Sequence, residues 1–420
     1  MKPDNIVKLS VGFGNSMQEF EIPRKNIIAI LEPNEVEVSK KGRDAVLAAL
    51  QEPIGTPRLR DMVRLGQKIA IITSDITRPV PSYKILPHLL KELWYASVNP
   101  DDVTVVFALG VHRGHTESEQ RKLVGEEVFS KVSCIDSDCG GFIRMGTTQR
   151  GTPVDIARVV AHADIRIGVA NIEYHYFAGY SGGAKSLMPG VSTREAVQSN
   201  HSLMALPEAS AGRLDDNPVR RDLEDALNYC PLHFIVNVVM DEQKEIVCAV
   251  AGDAIKAHRR GCAFLDKLYL KRIKCRADIV IASQGGYPKD LNLYQTQKAL
   301  ENAKHAVKKG GIIILVGSCH EGLGESVFED WIKAAKTPES LITRIQEDFQ
   351  LGGHKAAAIA LALQNSSIKL VSRMEPDFVK ILFLEPYADL QSALNDAFLE
   401  LGEDATVLIM PYGGSTLPME

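Results

Sequence analysis

The feature that most restricts what this chain can fold into is a regular alternation of short apolar runs with helical stretches. Residues 68–73 (KIAIIT) form one such run, and a helical pattern follows over about residues 82–95. Continuous apolar runs separated by helices are typical of parallel strands in a sheet that is covered on both faces. Comparable runs recur at residues 103–109, 165–170, 234–240, 278–282, 312–317 and 379–384. The sequence therefore predicts an α/β fold with parallel-rich sheets.

The length of the chain and a change in its composition predict two such domains. A length of 420 residues exceeds that of a usual single domain. Between about residues 268 and 277 a helical pattern gives way to a basic stretch before the next strand. We therefore expect an N-terminal domain over residues 1–270 and a C-terminal α/β domain over residues 276–404. The C-terminal tail, residues 405–420, could pack back on the first domain.

Composition excludes several classes of protein. The 48 basic and 53 acidic residues give a net charge of −5, so no basic excess exists to hold a phosphate backbone and no nucleic-acid partner is expected. Apolar runs are too short to cross a bilayer and no apolar leader follows Met1, so we expect no membrane partner and a cytoplasmic location. The seven dispersed cysteines lack a C-x-x-C pair, which favours reduced thiols over disulfides or structural zinc.

Polar segments that follow the predicted strands are the places to search for a site, because ligands of open α/β sheets bind beyond the carboxyl ends of strands. Asp75 and Arg78 follow the first strand in S-D-I-T-R-P, where both could face a ligand. From spacing alone, a helix-capping aspartate and a surface arginine explain them better. His112 and His115 follow the next strand in G-V-H-R-G-H and could serve metal binding or acid–base chemistry, with His112 favoured because it is closer to the strand.

The densest polar segment, residues 173–186, reads E-Y-H-Y-F-A-G-Y-S-G-G-A-K-S. From Gly179 to Ser186 it matches the phosphate-loop pattern G-x-x-x-x-G-K-[ST] except that Ala184 replaces the last glycine. A β-carbon there obstructs close approach of a phosphate. The glycine turn with its lysine still predicts a site for an anionic ligand. A kinase using this loop stays an alternative.

A further cluster follows the predicted strand at residues 278–282. Gln295 and Lys298 lie three residues apart on one face of a helix that begins at about Leu293. A glutamine and a lysine at the start of a helix suit a carboxylate. A solvated first helical turn is the alternative interpretation.

Taken in order, these segments resemble the nickel-pincer-dependent lactate racemase family, a group of 2-hydroxyacid racemases and epimerases. The matching segments are S-D-I-T-R-P, G-V-H-R, E-Y-H-Y-F-A-G-Y-S-G-G-A-K with M-P-G-V after it, N-H in the next helix, and G-G-Y-P-K-D-L-N-L-Y-Q-T-Q-K. They fall across nearly the whole chain. The resemblance implies two α/β domains with an active-site cleft between them, the first binding the cofactor and carrying catalysis and the second contributing substrate-binding residues.

The resemblance also implies a role for each residue. It implies that the cofactor is a nickel-pincer nucleotide, pyridinium-3,5-bisthiocarboxylic acid mononucleotide nickel, anchored by Lys185 against a turn that holds Gly182 and Gly183, with Asp75 close by. His201 would be the protein ligand of Ni(II), and His112 and His175 would be the acid–base pair. The residues that would hold the carboxylate of the substrate are Arg78, Tyr294, Gln295 and Lys298.

The implied reaction inverts C2 of lactate or a related 2-hydroxyacid. Removing the hydrogen at C2 as a proton is difficult next to a carboxylate, whereas removing it as a hydride is easier when the hydroxyl proton leaves to a base. The pyridinium ring of the cofactor would accept the hydride, and a base on each side would serve either enantiomer. Maturation would require cofactor-synthesis enzymes as partners. A non-catalytic nickel or cofactor carrier, and a zinc hydrolase using His112, His115 and His175, are further alternatives.

Overall fold

The structure is a computed structural model that describes residues 6–78, 80–347, 350 and 352–420. Pro79, which the sequence suggests as a stiffener of the turn after the first predicted strand, lies outside these residues. The chain divides into two compact units, one formed by the residues up to Glu35 together with Leu268–Glu420, and the other by Val36–Lys267.

The N-terminal strands belong to the first of these units. A hairpin is formed by β1 (Ile6–Phe13) and β2 (Ser16–Pro23), and the next strand is β3 (Ile27–Ile30). Val11 and Phe20 of the hairpin are buried in the same apolar core as strands from the C-terminal half of the chain.

The unit formed by Val36–Lys267 is built on a parallel sheet. In chain order its elements are α1 (Gly42–Gln51), α2 (Leu59–Met62), β4 (Ile69–Ser74), α3 (Ser82–Tyr95), β5 (Val103–Ala108), α4 (Glu117–Val124), α5 (Glu126–Phe129), β6 (Ser133–Asp136), β7 (Phe142–Thr147), β8 (Pro153–Ala157), α6 (Arg158–Ala161), β9 (Ile165–Asn171), β10 (Tyr174–His175), β11 (Gly179–Tyr180), α7 (Arg194–Ser202), α8 (Pro218–Asp225), β12 (Phe234–Met240), β13 (Ile246–Gly252) and α9 (Lys256–Tyr269). The strand order is β13-β12-β9-β4-β5-β6, and only β13 in this order runs antiparallel to its neighbour.

The centre of this sheet shows why the apolar runs become strands. Ile71 of β4 pairs with Val105 of β5 on one side and with Ile167 of β9 on the other, and all three side chains are fully buried. Burying each such side chain stabilises the fold by about 1.5–3 kcal/mol. The strand order reverses at β4, because β5 and β6 extend the sheet on one side and β9 and β12 on the other. Such a reversal is where open α/β sheets place their ligands, beyond the carboxyl ends of the strands.

The rest of the chain completes the other unit. Its elements are β14 (Leu270–Arg272), β15 (Ala277–Ser283), α10 (Leu293–Ala303), β16 (Val307–Val316), α11 (Ser326–Ala334), α12 (Pro338–Glu347), α13 (Gly353–Leu363), β17 (Ser366–Val371), α14 (Pro376–Ile381), β18 (Glu385–Tyr387), α15 (Leu390–Leu401), β19 (Val407–Met410) and β20 (Leu417–Met419). The main sheet has the order β18-β17-β16-β15-β19-β3 and its paired strands are parallel. The prediction of an α/β fold with parallel-rich sheets is confirmed.

Two expectations differ from the structure. The predicted first domain, residues 1–270, included the N-terminal strands, but β3 pairs with β19 and so joins the unit that contains residues 276–404. The tail, residues 405–420, also stays in that unit, because β19 is inserted between β15 and β3 and β20 pairs with β14.

The predicted strand at residues 379–384 is also wrong. Its first half lies in α14, where Pro376 occupies the start of the helix, a position that suits its fixed φ and missing N–H. The strand itself, β18, begins only at Glu385. Among the helices that the described residues form, none is both long and apolar enough to span a bilayer.

Candidate functional site

The first element of the candidate site is a hydrogen-bonded pair formed by Asp75 and His112. Asp75 directly follows β4 and His112 follows β5, and these strands are neighbours in the sheet. His112 Nδ1 lies 2.5 Å from Asp75 Oδ2, and Thr77 donates a hydrogen bond of 2.8 Å to Asp75 Oδ1. Gly110, with φ of 57°, allows the turn after β5 and donates its N–H to the carbonyl of Gly190.

The charge state of this pair follows from its surroundings. Asp75 is buried, and burial alone would raise the pKa of its carboxyl group, but the hydrogen bonds from His112 and Thr77 and the charge of Arg78 outweigh burial and lower that pKa. An ionised carboxylate only accepts hydrogen bonds, so the proton of the neutral imidazole resides on Nδ1. The other ring nitrogen, Nε2, then carries the lone pair that a general base needs.

The structure distinguishes His115 from His112. The His115 side chain is only 1% exposed, its Nδ1 lies 2.7 Å from Asp136 Oδ1, and its Nε2 accepts the N–H of Ile76 at 3.1 Å. Both ring nitrogens are therefore engaged within the protein. His115 ties the segment after β5 to the end of β6 and to the turn that carries Asp75 and Arg78, which is a structural role.

The segment that contains His175 and Lys185 is held in place by buried polar groups that sequence reasoning missed. The hydroxyl groups of Tyr174 and Tyr180 both donate to Asp266 Oδ1 at 2.8 Å. The guanidinium of Arg220, which is fully buried, donates to the carbonyls of Ala178 and Gly182 at 3.3 Å and also to that of Tyr180. None of these contacts could be read from a motif, because the partners are far apart in sequence.

His175, Lys185 and His201 surround the ring of Phe177. The His175 and His201 rings lie edge-on to Phe177, with centroid distances of 4.4 and 4.8 Å. Lys185 Nζ lies 5.8 Å from the centroid of Phe177 and 3.4 Å from His175 Nε2. The structure therefore brings together three side chains that the sequence had predicted as site residues.

The pKa values of two of the groups beside Phe177, Lys185 and His175, are lowered by burial. Burial, and then the nearby charges of Arg78 and Arg220, hold the pKa of Lys185 well below its usual value. Burial, followed by the charges of Lys185 and Arg78, likewise lowers the pKa of His175. Because the charge of Arg78 acts on both groups and on Asp75, the turn after β4 and the segment after β9 face one another. An uncharged amine is nucleophilic, and an anion bound here would be attracted by the remaining cations.

The glycine turn before Lys185 is not a phosphate loop. The N–H of Gly183 donates to Asn237 Oδ1 at 2.8 Å, and the N–H of Ser181 donates to the carbonyl of Glu173 at 2.9 Å. The turn continues into a short 3-10 segment, Gly183–Ser186, rather than into an α-helix. A phosphate loop needs its N–H groups directed at the ligand at the start of a helix. The kinase alternative therefore has no support.

The glycines of this turn are explained by packing. A β-carbon on Gly182 would lie 2.8 Å from Asn237 Oδ1, and one on Gly183 would lie 2.8 Å from Cγ of the buried His258. Both glycines also have positive φ. Their predicted contact with a cofactor stays a prediction.

The other predicted residues lie at the start of α10 in the other unit. Asn292 caps this helix by accepting the N–H of Gln295 at 3.1 Å, Gln295 is half-buried and Lys298 is exposed. The charge of Lys298, after burial, lowers the pKa of Lys289, so a second amine lies nearby. The sequence missed Lys289.

Tyr294 has a further cationic neighbour. Lys355 Nζ lies 5.1 Å from the centroid of the Tyr294 ring, and the ring of His354 lies 6.4 Å away. Neither Lys355 nor His354 was predicted from the sequence as a site residue.

No group of three or more His, Cys, Asp or Glu side chains arranged to hold a metal ion occurs in the described part of the chain. His112 and His115 in particular are engaged with different carboxylates, Asp75 and Asp136. A zinc site built from His112, His115 and His175 therefore has no support.

Two protein-family matches together cover most of the chain. The family described as the lactate racemase N-terminal domain matches residues 13–212, and the lactate racemase C-terminal domain matches residues 273–417. A lactate racemase of Thermoanaerobacterium thermosaccharolyticum is 34% identical over 427 residues, which span 99% of this chain and 100% of the relative. A lactate racemase of Lactiplantibacillus plantarum is 34% identical over 383 residues, which span 88% of this chain and 89% of the relative.

Solved structures give the same relationship. The lactate racemase apoprotein from T. thermosaccharolyticum superposes with a TM-score of 0.89 at 34% identity, over 99% of this chain and 100% of that one. A protein from Thermotoga maritima shares the fold, with a TM-score of 0.63 at 18% identity over 90% of this chain and 97% of that one.

Proposed function

The chain belongs to the lactate racemase family of isomerases, and from that premise we propose that it inverts C2 of lactate or a related 2-hydroxyacid by proton-coupled hydride transfer. The observation that carries this proposal is the pair of His112 and Asp75. A buried, ionised carboxylate holds the imidazole with its lone pair on Nε2, which is the arrangement of a general base rather than of a storage site.

His112 and His175 act in this proposal on the hydroxyl group of the substrate. For one enantiomer, His112 Nε2 removes the hydroxyl proton while the hydrogen at C2 leaves as a hydride. His175 returns a proton to the same oxygen after the substrate has turned its other face, and the two roles exchange for the opposite enantiomer. To donate, His175 must first be protonated. An anionic substrate beside it raises the pKa that burial and nearby cations lower in the free protein.

The residues assigned in this proposal to the carboxylate of the substrate are Arg78 in one unit and Tyr294, Gln295 and Lys298 in the other. Arg78 is exposed at the turn after β4, and its charge already acts on Asp75 and His175. A guanidinium can hold a carboxylate through two parallel hydrogen bonds.

The residues around Phe177 fit a nickel-pincer nucleotide. Lys185 has a half-buried amine whose pKa burial lowers, which favours the uncharged form that can form a covalent bond, and His201 presents an imidazole, a donor that suits Ni(II). Ser186 Oγ and Asn237 Nδ2 are buried next to the turn and accept or donate no hydrogen bond among the described residues, so polar groups remain for a ligand. When bound, the cofactor supplies a pyridinium ring that accepts a hydride. Lys185 would anchor it, Gly182, Gly183 and Asp75 would contact it, and His201 would complete the coordination of nickel.

The proposal is tested on protein produced together with the cofactor-making enzymes. Chiral chromatography of lactate, malate, longer 2-hydroxyacids and aldonic acids should show inversion of at least one of them. His112→Ala and His175→Ala should abolish inversion while leaving bound nickel in place, whereas His201→Ala should lower the nickel content. If the nickel-loaded protein inverts no acid of the panel, the proposed activity is wrong.

A further inference from the structure

A series of buried hydrogen bonds holds His201 through its ring nitrogen Nδ1. Its Nδ1 lies 2.9 Å from Oδ1 of Asn200, the preceding residue on α7. Asn200 is fully buried, and its Nδ2 donates to Asp222 Oδ2 at 2.9 Å and to the carbonyl of Val219 at 3.3 Å. Asp222 and Val219 both belong to α8, so these hydrogen bonds connect α7 with α8.

The carboxylate of Asp222 and the carbonyl of Val219 fix the direction of every hydrogen bond in this series. A carboxylate and a carbonyl can only accept, so the amide of Asn200 must present Nδ2 to Asp222 and Val219. Its Oδ1 then faces His201 and can only accept as well. His201 must therefore donate from Nδ1, and in the neutral ring this makes Nε2 the nitrogen with the lone pair.

Asp222 is itself built into the interior. It is 1% exposed and accepts hydrogen bonds from Thr148 Oγ1 at 2.5 Å and from Thr152 Oγ1 at 2.7 Å, in addition to Asn200. These donors hold its two oxygens in one orientation. A buried carboxylate that is fixed in this way can in turn fix the amide that it contacts.

We propose that Asn200 and Asp222 are positioning residues that keep His201 in the tautomer with its lone pair on Nε2, which is the form of an imidazole that binds a metal ion. This inference rests on the proposed function for the identity of the ligand, but the tautomer itself does not. Histidines that bind metals commonly donate their other N–H to a carboxylate or carbonyl, and removing such a partner typically lowers metal affinity 10–100-fold.

The direct test is the tautomer of His201 in the cofactor-free protein. Long-range ¹H–¹⁵N correlation spectra at about pH 8, where ordinary imidazoles are neutral, distinguish the protonated ring nitrogen from the one with the lone pair. The His201→Gln spectrum identifies the signal. Wild-type protein should show His201 protonated on Nδ1, and a ring protonated on Nε2 would overturn the inference without any further variant.

The variant Asp222→Asn tests the role of the carboxylate at nearly unchanged volume. An amide at position 222 can donate as well as accept, so of the two groups that can only accept from Asn200 Nδ2, only the more distant carbonyl of Val219 remains, at 3.3 Å. The orientation of the Asn200 amide is then less strongly fixed, and the Nε2–H tautomer of His201 should gain population. Glu195→Gln, at an exposed position on α7, the helix that carries His201, is the matched control and should leave the tautomer of His201 unchanged. Undisturbed signals from the other histidines show that a variant has folded.

Nickel retention after production with the cofactor-making enzymes separates this inference from the proposed function. In Asp222→Asn we expect nickel to dissociate 10–100-fold more readily than in wild type or in Glu195→Gln. If Asp222→Asn leaves both the tautomer and the nickel unchanged, the positioning role is wrong. If the tautomer shifts as expected but even the wild type holds no nickel, the positioning role stands and the proposed cofactor is wrong.

Discussion

His112 donates its Nδ1 proton to the buried carboxylate of Asp75 across 2.5 Å, whereas His115, three residues later, makes the same kind of contact with Asp136 at 2.7 Å. Within the part of the chain that the structure describes, a backbone N–H, that of Ile76, occupies the remaining nitrogen of His115 but none occupies that of His112. Two histidines of one loop are therefore held by similar pairs for different purposes. One pair orients the histidine that we propose as a base, and the other fixes the loop.

Asp75→Asn should lower the rate of inversion by about two to four orders of magnitude, because the amide no longer holds His112 in the tautomer with its lone pair on Nε2. The measurement is kcat for each enantiomer by chiral chromatography on nickel-loaded protein. Because Asp75 is buried and hydrogen-bonded to His112 and Thr77, the variant should also reduce the free energy of unfolding by about 1–3 kcal/mol, so kcat is the property that reports on the role of His112.

Asp136→Asn is the matched variant at the other pair. It weakens the contacts to His115 and should reduce the free energy of unfolding by about 1–3 kcal/mol, the usual effect of a compromised buried hydrogen bond. Its kcat should stay within about tenfold of wild type, far above that of Asp75→Asn. An equal loss of kcat in the two variants would show that His112 has no special role.

Arg220→Lys should destabilise the protein although the charge is preserved. The guanidinium reaches three carbonyls of the segment from Ala178 to Gly182, and a lysine ammonium cannot span them. Hydrogen bonds from charged groups are worth about 1.5–3 kcal/mol each, so we expect a loss of about 2–4 kcal/mol in urea unfolding. Arg213→Lys, at a partly exposed residue paired with Asp216, should cost less than about 1 kcal/mol.

The sequence predicted the parts of the fold and of the site that depend on local pattern. The buried strands could be predicted because their apolar runs lie at the centre of the sheets, and His112, His175 and Lys185 because each follows such a strand. The position of the N-terminal segment could not be predicted, because pairing of β3 with β19 joins residues nearly 380 positions apart. The alternation pattern says nothing about which strands become neighbours.

The supports of the site were missed for the same reason. Asp222, Arg220 and Asp266 lie on helices in segments that carry no motif, and each contacts its partners only after the chain has folded. On a helix, a charged residue without a partner in the sequence is usually solvated. Their contacts, and the burial of Asp222 and Arg220, became evident only from the tertiary structure.

Lys298→Ala should raise KM for the 2-hydroxyacid by about tenfold or more with a smaller change in kcat, because an ion pair with the carboxylate is lost in ground state and transition state alike. Lys304→Ala, near the end of the same helix, is the control, since that lysine is paired with Glu301 at 2.6 Å. Equal KM values for the two variants would show that Lys298 does not bind the carboxylate of the substrate.

Lys185 should react with amine-specific acylating reagents at an unusually low pH in the cofactor-free protein. Burial and the charges of Arg78 and Arg220 lower its pKa, so the amine loses its proton at a pH where ordinary lysines, with pKa values of about 10.4, are still charged. Lys8 is the internal control, because its hydrogen bond with Glu19 and the charge of that carboxylate raise its pKa. Labelling followed by peptide mass spectrometry across a pH series should give a midpoint for Lys185 below that of Lys8. The opposite order would mean that Lys185 remains charged and could not attack an acyl group of the cofactor.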